Sequence, residues 1–294
     1  MGKILIIGGT GLLGFRLTQR ACDKHEVFST YHAHKIMSKA CGMFPLDVKN
    51  YRETLSLITR IRPNVVVNTA ALHNVDYCEE HRKECWNMNV KGTENVARAC
   101  KAAGSSIIFI STDYIFDGKD KEYTENARPK PLNYYGYCKL QAEKAIKKTG
   151  IKHAIARTSV IYGWNPTKLN FVTWVLQELK TGNDIRVVDD QYSNPTLADD
   201  LAEMIIKIIE HDKTGIFNTT GSECINRFEF AKKIAAAFAL DPSLIKPIKT
   251  KDLKQKAVRP KRCNMNTDKI SECLGRMPFT AVEGLEKMRG DVND

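Results

Sequence analysis

The feature that most constrains the fold is an alternation of short apolar runs and helical patterns along the first two thirds of the chain. The first run, Lys3-Ile4-Leu5-Ile6-Ile7, is continuously apolar after its lysine, which is typical of a strand covered on both faces. Further strands are predicted at 27–31, 65–68, 107–110 and 154–157, and helices at 12–22, 50–61, up to about 103, and 134–148. Strands joined by helices over short connections form a parallel sheet with right-handed crossovers. The expected fold is therefore α/β, a doubly wound parallel sheet.

The alternation loses its regularity after Gly163. The remaining predicted elements are helices at 169–180, 197–210 and 227–239 and strands at 185–188 and 216–219, before a tail of weak periodicity over 240–294. We expect a first domain over 1–163, completed by 185–220. We expect a smaller C-terminal α/β lobe over 164–294.

The chain has an excess of basic residues, and their distribution along the sequence bears on its partners. The 294 residues include 45 Lys and Arg against 34 Asp and Glu, a net charge of +11. The densest basic stretch, 246–262, has no interleaved aromatic residues, so it does not resemble a stacking platform for single strands. We expect no nucleic-acid partner. The apolar runs are also too short to span a bilayer, so we expect no membrane partner.

The nine cysteines include no C-x-x-C pair. With no secretory signal, they are typical of reduced thiols in a cytoplasmic protein. No paired Cys or His spacing suits zinc, and no metal is predicted.

A glycine-rich loop follows the first strand and opens the first helix. It reads Gly8-Gly9-Thr10-Gly11-Leu12-Leu13-Gly14 and satisfies G-x-G-x-x-G. In this setting the motif predicts a Rossmann-type site, where the backbone and the helix N-terminus approach a dinucleotide pyrophosphate. The alternative is a glycine turn with only a structural role.

The end of the second strand bears on cofactor choice. The stretch from Thr30 to Lys35 contains Tyr31 and no acid, whereas an NAD-specific site usually has an acid there for the ribose 2′-hydroxyl. NADP(H) is therefore favoured and NAD(H) stays open. A solvated loop without a specific role is the other interpretation.

The pattern Tyr-x-x-x-Lys occurs at Tyr31/Lys35 and at Tyr135/Lys139. Only the second pair lies on a predicted helix, where residues four apart share a face. A nearby ammonium favours the phenolate and lowers a tyrosine pKa. Such a tyrosine can protonate a carbonyl oxygen as a nicotinamide delivers hydride.

Ser111, Thr112 and Asp113 end the fourth predicted strand. The carboxyl ends of strands border the ligand crevice in an open parallel sheet. A hydroxyl group here could orient the substrate carbonyl beside Tyr135. The alternative is that these hydroxyls bind only the loop backbone.

Together, the glycine loop, the segment 111–118 and Tyr135-x-x-x-Lys139 resemble the extended short-chain dehydrogenases/reductases, and more specifically the dTDP-4-dehydrorhamnose reductase family. The resemblance also covers the segments 68–71, 131–140, 157–163, 170–172, 187–191 and 259–260. It spans most of the chain in order. It implies a Rossmann-type NAD(P)-binding domain over 1–163 and a substrate-binding lobe over 164–294.

By this resemblance, Thr112, Tyr135 and Lys139 form the catalytic triad. The implied cofactor contacts are Gly8, Thr10, Gly11, Leu12, Leu13, Tyr31, Asp47, Val48, Ala70, Ala71, Leu72, His73, Tyr135 and Lys139. The implied substrate contacts are Thr112, Asp113, Val160, Asn170 and Arg259. The family reduces the 4-keto group of a dTDP-linked deoxysugar with NADPH, so a nucleotide sugar is the expected partner and dTDP-L-rhamnose or a related deoxysugar the expected product.

Two positions depart from the family pattern. Val160 stands where the bacterial reductases have a tryptophan, and Arg16 stands where they have a magnesium-associated glutamate. An aliphatic residue at the first position also occurs in the NADP-binding regulatory β subunit of methionine adenosyltransferase, which keeps Tyr-x-x-x-Lys. A non-catalytic regulatory subunit is therefore the alternative function. A homodimer also stays open.

Overall fold

The computed structural model describes residues 2–36, 39–40, 42–166 and 168–291. The strands are β1 (Lys3–Ile7), β2 (Glu26–Tyr31), β3 (Gly42–Pro45), β4 (Val65–Asn68), β5 (Ser106–Thr112), β6 (His153–Thr158), β7 (Ile161–Tyr162), β8 (Ile185–Val188), β9 (Tyr192–Ser193), β10 (Thr196–Leu197), β11 (Gly215–Asn218), β12 (Ile225–Asn226) and β13 (Ile245–Ile248). The α-helices are α1 (Leu12–Ala21), α2 (Tyr51–Ile61), α3 (Val75–Glu80), α4 (Arg82–Trp86), α5 (Gly92–Ala103), α6 (Tyr134–Thr149), α7 (Phe171–Lys180), α8 (Ala198–Glu210), α9 (Arg227–Ala237), α10 (Asp268–Leu274) and α11 (Ala281–Gly290).

The central sheet has seven strands in the order β11-β6-β5-β4-β1-β2-β3. Every neighbouring pair in it is parallel. The chain proceeds outward from β1 through β2 to β3 and then returns to the other side of β1 with β4. Such a reversal of strand order opens a crevice at the carboxyl ends of the strands. The predicted doubly wound parallel sheet is confirmed.

Helices cover both faces of this sheet. On one face α1, α8 and α10 bury side chains that include Leu17, Ile205 and Ile270. On the other face α2, α5 and α6 bury side chains that include Ile58 and Val96. Burial on both faces explains why the strands are continuously apolar in sequence.

The C-terminal half builds a second apolar core from α7, α9, α11 and the short strands β8 and β13. The strand at 185–188 pairs with β13 and lies outside the large sheet, whereas the strand at 215–218 forms an edge of that sheet beside β6. Helix α10 packs on the first core, although it lies far down the chain. The proposed domain boundaries remain a prediction.

Among the elements that were not predicted from the sequence are β3, α10 and α11. Strand β3 reads Gly-Met-Phe-Pro, and glycine and proline normally interrupt strands, but both are tolerated at the edge of a sheet, where β3 lies. Helices α10 and α11 lie in the tail that lacked periodicity. Both are short, and short helices depend on tertiary packing more than on local preference. None of the helices in the described ranges is long and apolar enough to cross a membrane.

Candidate active site

The glycine loop between β1 and α1 is closely packed against its surroundings. Gly8 has φ +86°, a conformation that favours glycine. A Cβ on Gly9 would lie 1.6 Å from Oγ of Ser29, and one on Gly14 would lie 2.3 Å from the carbonyl oxygen of Gly8. The loop is also tied to Thr30, whose hydroxyl accepts a hydrogen bond from the Gly8 N–H at 3.1 Å. The loop therefore requires glycine at these positions.

Helix α1 begins directly after this loop. Its N-cap, Gly11, provides no side-chain cap, and the first turn contains no acidic residue. The backbone N–H groups of that turn thus remain available to an anion. Thr10 and Leu12 are half-buried, and Leu13 is buried in the core, so Leu13 contributes to the loop only through its backbone.

The two segments expected near the adenosine meet beside β2 and β3. The N–H of Leu46 donates to the carbonyl oxygen of Tyr31 at 2.9 Å, so the chain after β3 runs next to the end of β2. The ring of His32 lies 3.9 Å from the Asp47 carboxylate, measured from Nε2 to Oδ2. Val48 is buried. The structure thus brings Tyr31 together with Asp47 and Val48.

The segment 70–73 follows β4 at the reversal of strand order. Asn68 Oδ1 accepts from the N–H of Ala70 at 3.2 Å. The side chain of Asn89 accepts from the N–H of Leu72 and donates to its carbonyl oxygen, both at 2.9 Å. Ala71 is half-buried and His73 is exposed. Asn89 was not predicted from the sequence, because an asparagine that bonds to a distant backbone has no sequence signature.

The three proposed catalytic side chains come from β5 and α6. Asn133 caps α6 by accepting from the N–H of Gly136 at 2.8 Å, which places Tyr135 in the first turn. Thr112, the last residue of β5, is close enough to Tyr135 to influence the pKa of its phenol, and the Tyr135 ring lies edge-on to that of Tyr114, with ring centroids 6.3 Å apart. Lys139 is buried one turn further on, and its Nζ donates to the carbonyl oxygen of Ile110 at 2.5 Å. The structure therefore brings this triad together.

The pKa of Tyr135 differs from the expectation based on sequence. We expected Lys139 to lower it, but burial of the phenol raises the pKa of Tyr135, and the negative charge of Asp113 acts in the same direction. Burial also lowers the pKa of Lys139, to about 7. Both effects have one cause, since a buried position disfavours a phenolate and an ammonium alike.

Asp113 follows Thr112 and is itself buried. Its carboxylate accepts hydrogen bonds from Ser159 at 2.7 Å and from Thr112 at 3.1 Å. Burial raises the pKa of Asp113 to about 6. Ser111, by contrast, donates to Glu143 at 2.6 Å. Its hydroxyl therefore bonds to a buried carboxylate, and of the two hydroxyls Thr112 is the one that influences the pKa of Tyr135.

A narrow cleft with a cavity volume of about 10 Å³ lies beside this carboxylate. Its lining residues are Asp113, Tyr114, Val160, Gln191, Tyr192, Ser193, Arg227, Pro260 and Cys263. Val160 has φ +41°, a strained conformation for a β-branched residue. Arg227 was not predicted from the sequence. It acts electrostatically on Asp113 although the two residues are far apart in the chain, so no local pattern could have found it.

The other two proposed substrate residues are engaged elsewhere. Asn170 caps α7, and its amide nitrogen donates to the carbonyl oxygen of Gly163 at 2.7 Å. Arg259 donates two hydrogen bonds of 3.0 Å to the carboxylate of Asp76. This pair joins the tail to α3. Neither Asn170 nor Arg259 is among the cleft-lining residues.

Arg16, which replaces the glutamate of the family pattern, lies on α1. Its guanidinium is 2.7 Å from the Asp199 carboxylate and 2.8 Å from that of Asp291. It thus joins α1 to α8 and to the end of α11.

Comparison with known proteins agrees with the resemblance found in the motifs. A family described as the RmlD substrate binding domain matches residues 2–292. A dTDP-4-dehydrorhamnose reductase of Aggregatibacter actinomycetemcomitans is 31% identical, with 98% of this chain and 99% of the relative covered. The methionine adenosyltransferase 2 subunit beta of Rattus norvegicus is 33% identical, with 94% and 84% covered. A crystal structure of dTDP-4-dehydrorhamnose reductase from Bacillus anthracis in complex with NADP has a TM-score of 0.87, 29% identity and 99% of both chains covered.

Proposed function

The chain belongs to the RmlD substrate binding domain family, and on this premise we propose that it is an NAD(P)H-dependent oxidoreductase. It reduces the 4-keto group of a dTDP-4-keto-6-deoxy sugar and yields dTDP-L-rhamnose or a related deoxysugar. The observation that carries the proposal is the position of Tyr135 in the first turn of α6, where its ring lies 6.3 Å from that of Tyr114, two residues beyond the end of β5. This position supports a proton donor at the edge of the sheet that the glycine loop also borders.

NADP(H) is the proposed cofactor, with NAD(H) as the alternative. The residues present fit a dinucleotide, because Gly9 and Gly14 leave no room for a Cβ and α1 has an uncapped N-terminus. His32 and Lys35, both exposed after β2, suit a 2′-phosphate. The NADP-bound Bacillus structure supports the choice. When bound, the reduced cofactor supplies a hydride to the carbonyl carbon.

The side chains of the triad handle the proton. Tyr135 Oη donates its proton to the carbonyl oxygen, and the Thr112 hydroxyl turns from Asp113, to which it donates in the absence of substrate, to donate to the same oxygen. Lys139, bonded to the carbonyl oxygen of Ile110, stabilises the phenolate that Tyr135 becomes. With the cofactor bound, Lys139 would also hold its ribose hydroxyls. The raised pKa of Tyr135 keeps its proton in place until the carbonyl oxygen becomes basic.

Asp113 and Val160 are the proposed sugar contacts, since both line the cleft. Asn170 and Arg259 act on the diphosphate indirectly in this proposal. Asn170 sets the start of α7, and Arg259 sets the course of the tail at Pro260, a lining residue.

The test is cofactor oxidation with dTDP-4-keto-6-deoxy-L-mannose, followed through the fluorescence of NADPH. Tyr135→Phe is expected to lower kcat by at least about 100-fold, the usual contribution of general acid catalysis. Tyr137→Phe is the matched control, because this tyrosine lies on the same helix but is 41% exposed. Absence of turnover by the unaltered chain, or equal turnover in Tyr135→Phe, contradicts the proposal.

A second candidate is a regulatory, cofactor-loaded subunit. The 33% identity to the rat methionine adenosyltransferase 2 subunit beta favours it, as does the aliphatic Val160. This function requires dinucleotide binding without sugar turnover and a stable complex with a methionine adenosyltransferase. Co-purification from native lysate separates the two candidates, since only the second requires that partner.

We infer a cytoplasmic location, with reduced cysteines, from the composition. We propose that residues 1–163, together with β11, bind the dinucleotide and that residues 164–294 bind the substrate. A homodimer is tested by light scattering of the purified chain, which yields the mass of the assembly directly.

A further inference from the structure

Three buried cysteines converge beside the proposed catalytic residues. Cys78 lies on α3, Cys85 on α4 and Cys138 on α6. All three are fully buried in one cluster. The thiol of Cys85 packs in this cluster with both of the others, which influence its pKa. Reduction of a ketone by hydride and proton transfer uses no thiol, so the proposed function leaves this contact unexplained.

Cys85 is the thiol that its surroundings activate. Hydrogen bonds with Cys138 and Cys78 lower the pKa of Cys85, and the Asn89 amide, 3.4 Å away, and the Lys139 ammonium act in the same direction. The pKa of Cys78 and that of Cys138 are raised, first of all by the hydrogen bond with Cys85. Because the thiolate is the nucleophilic form, Cys85 is the attacking sulfur, and one neighbouring thiol resolves the product.

The cluster lies one layer below the surface. Its covering residues are Leu72, Trp86, Tyr134 and Tyr135, which are all only half-buried. A small uncharged oxidant such as hydrogen peroxide therefore has to pass a single layer of side chains to reach the sulfur atoms.

We propose that Cys85 and Cys138 form a peroxide-sensitive dithiol that becomes a disulfide and switches the neighbouring site off. The Cys85 sulfur attacks one peroxide oxygen, an S–O bond forms, the O–O bond breaks, and the departing hydroxide takes up a proton as water. The Cys138 sulfur then attacks the sulfur of Cys85, the S–S bond forms, and the S–O bond breaks. The hydroxide released here leaves as a second water with the Cys138 proton. Two thiols are thus oxidised to one disulfide, and one peroxide is reduced to two waters.

The link acts on the site because of where Cys138 lies on α6. It immediately precedes Lys139 and comes three residues after Tyr135. A disulfide holds its sulfur atoms at about 2.05 Å, closer than any hydrogen-bonded pair of thiols. Its formation therefore draws α4 and the first turns of α6 towards each other. A displacement of the reacting groups by about 1 Å lowers a rate by about 100-fold.

The experiment uses the full chain, first reduced and then treated with hydrogen peroxide. Remaining thiols are alkylated, and the chain is digested without reductant for mass spectrometry. A peptide pair linked through Cys85 and Cys138 is expected in the unaltered chain. It is also expected in Cys100→Ala, the matched control, because Cys100 is equally buried but belongs to a different core cluster.

Cys138→Ala is expected to lack the link and to keep its turnover under peroxide. The unaltered chain is expected to lose about 100-fold in kcat and to regain it with a dithiol reductant. The linked peptide is measured in the unaltered chain, so this part of the test does not depend on whether a variant folds. The loss of turnover rests on the function proposed above, whereas the linkage does not, so an inactive chain still reports on the dithiol.

Three results would overturn the proposal. One is the absence of any linked peptide while Cys85 and Cys138 remain alkylated. Another is a link between Cys78 and Cys85 in its place. The third is a complete link between Cys85 and Cys138 that leaves the turnover of an active chain unchanged.

Discussion

Glu143 and Arg157 form a buried ion pair behind the site, and its disruption gives the sharpest stability prediction. Both side chains are only 2% exposed. The guanidinium donates to the carboxylate at 3.1 and 2.9 Å and to the carbonyl oxygen of Glu125 at 3.1 Å. Ser111 completes the set with its 2.6 Å bond to Glu143. Glu143→Gln keeps the shape of the side chain but leaves the Arg157 charge buried without a counter-ion.

Glu143→Gln is expected to lower the free energy of unfolding by about 3–5 kcal/mol, the usual penalty for removing one partner of a buried ion pair. With an unfolding entropy of about 2.1 cal/mol/K per residue, a chain of 294 residues should melt about 5–8 °C lower. Urea denaturation measures the free energy of unfolding, and calorimetry measures the melting temperature. The charge-free double variant Glu143→Leu with Arg157→Met should recover part of the loss, because neither charge is then buried.

Asp212→Asn is the control for this prediction. It breaks the pair between Lys152 and Asp212, whose side chains are 50% and 78% exposed, and asparagine tolerates the φ of +51° at this position. Exposed pairs contribute about 0–1 kcal/mol. If Glu143→Gln melts within about 2 °C of the unaltered chain, a shift that corresponds to about 1 kcal/mol, the buried pair does not have the role assigned to it here.

Three further changes test the loop, the carboxylate and the segment after β4. Gly14→Ala should lower the free energy of unfolding by about 1–3 kcal/mol through overpacking, and it should weaken NADPH binding in a fluorescence titration. Gly290→Ala, with no atom close to its added Cβ, should change neither quantity. The pKa of Asp113 is raised from 3.8 to about 6 in the folded chain, so its contribution to stability is present below about pH 4 and is lost as the pH rises through about 6. The melting temperature of the unaltered chain should fall over this range relative to Asp113→Asn, and parallel pH profiles would refute the assignment. Asn89→Ala removes both hydrogen bonds to Leu72 and should lower the free energy of unfolding, measured by urea denaturation, by about 1–3 kcal/mol. An unchanged urea midpoint would mean that water replaces the amide.

Local signals in the sequence were sufficient to predict the parallel sheet, the glycine loop and the helix that carries Tyr135 and Lys139. The apolar runs of β1, β4, β5 and β6 predicted the parallel sheet because both faces of these strands are buried, and burial of that kind leaves no polar alternation. The glycine spacing predicted the loop before α1, since the steric limits at a glycine are set by a few neighbouring atoms. The spacing of Tyr135 and Lys139 placed both on one face of a helix, because the helical repeat is itself local.

The tertiary structure decided what depends on contacts between distant segments. Arg259 bonds to Asp76 across the fold, and no local pattern could indicate that partner. Strand β3 forms despite its glycine and proline, because an edge position tolerates both.

The same limit applies to the chemistry of the site. The sequence by itself determined which residue types stand at the end of β5 and in the first turns of α6. Only the fold decided that the phenol of Tyr135 lies near Asp113 and that its pKa is raised. Only the fold, too, brings Cys78, Cys85 and Cys138 into one cluster. The physical reason is that burial and electrostatic interaction depend on distances in space, which the order of residues along a chain does not contain.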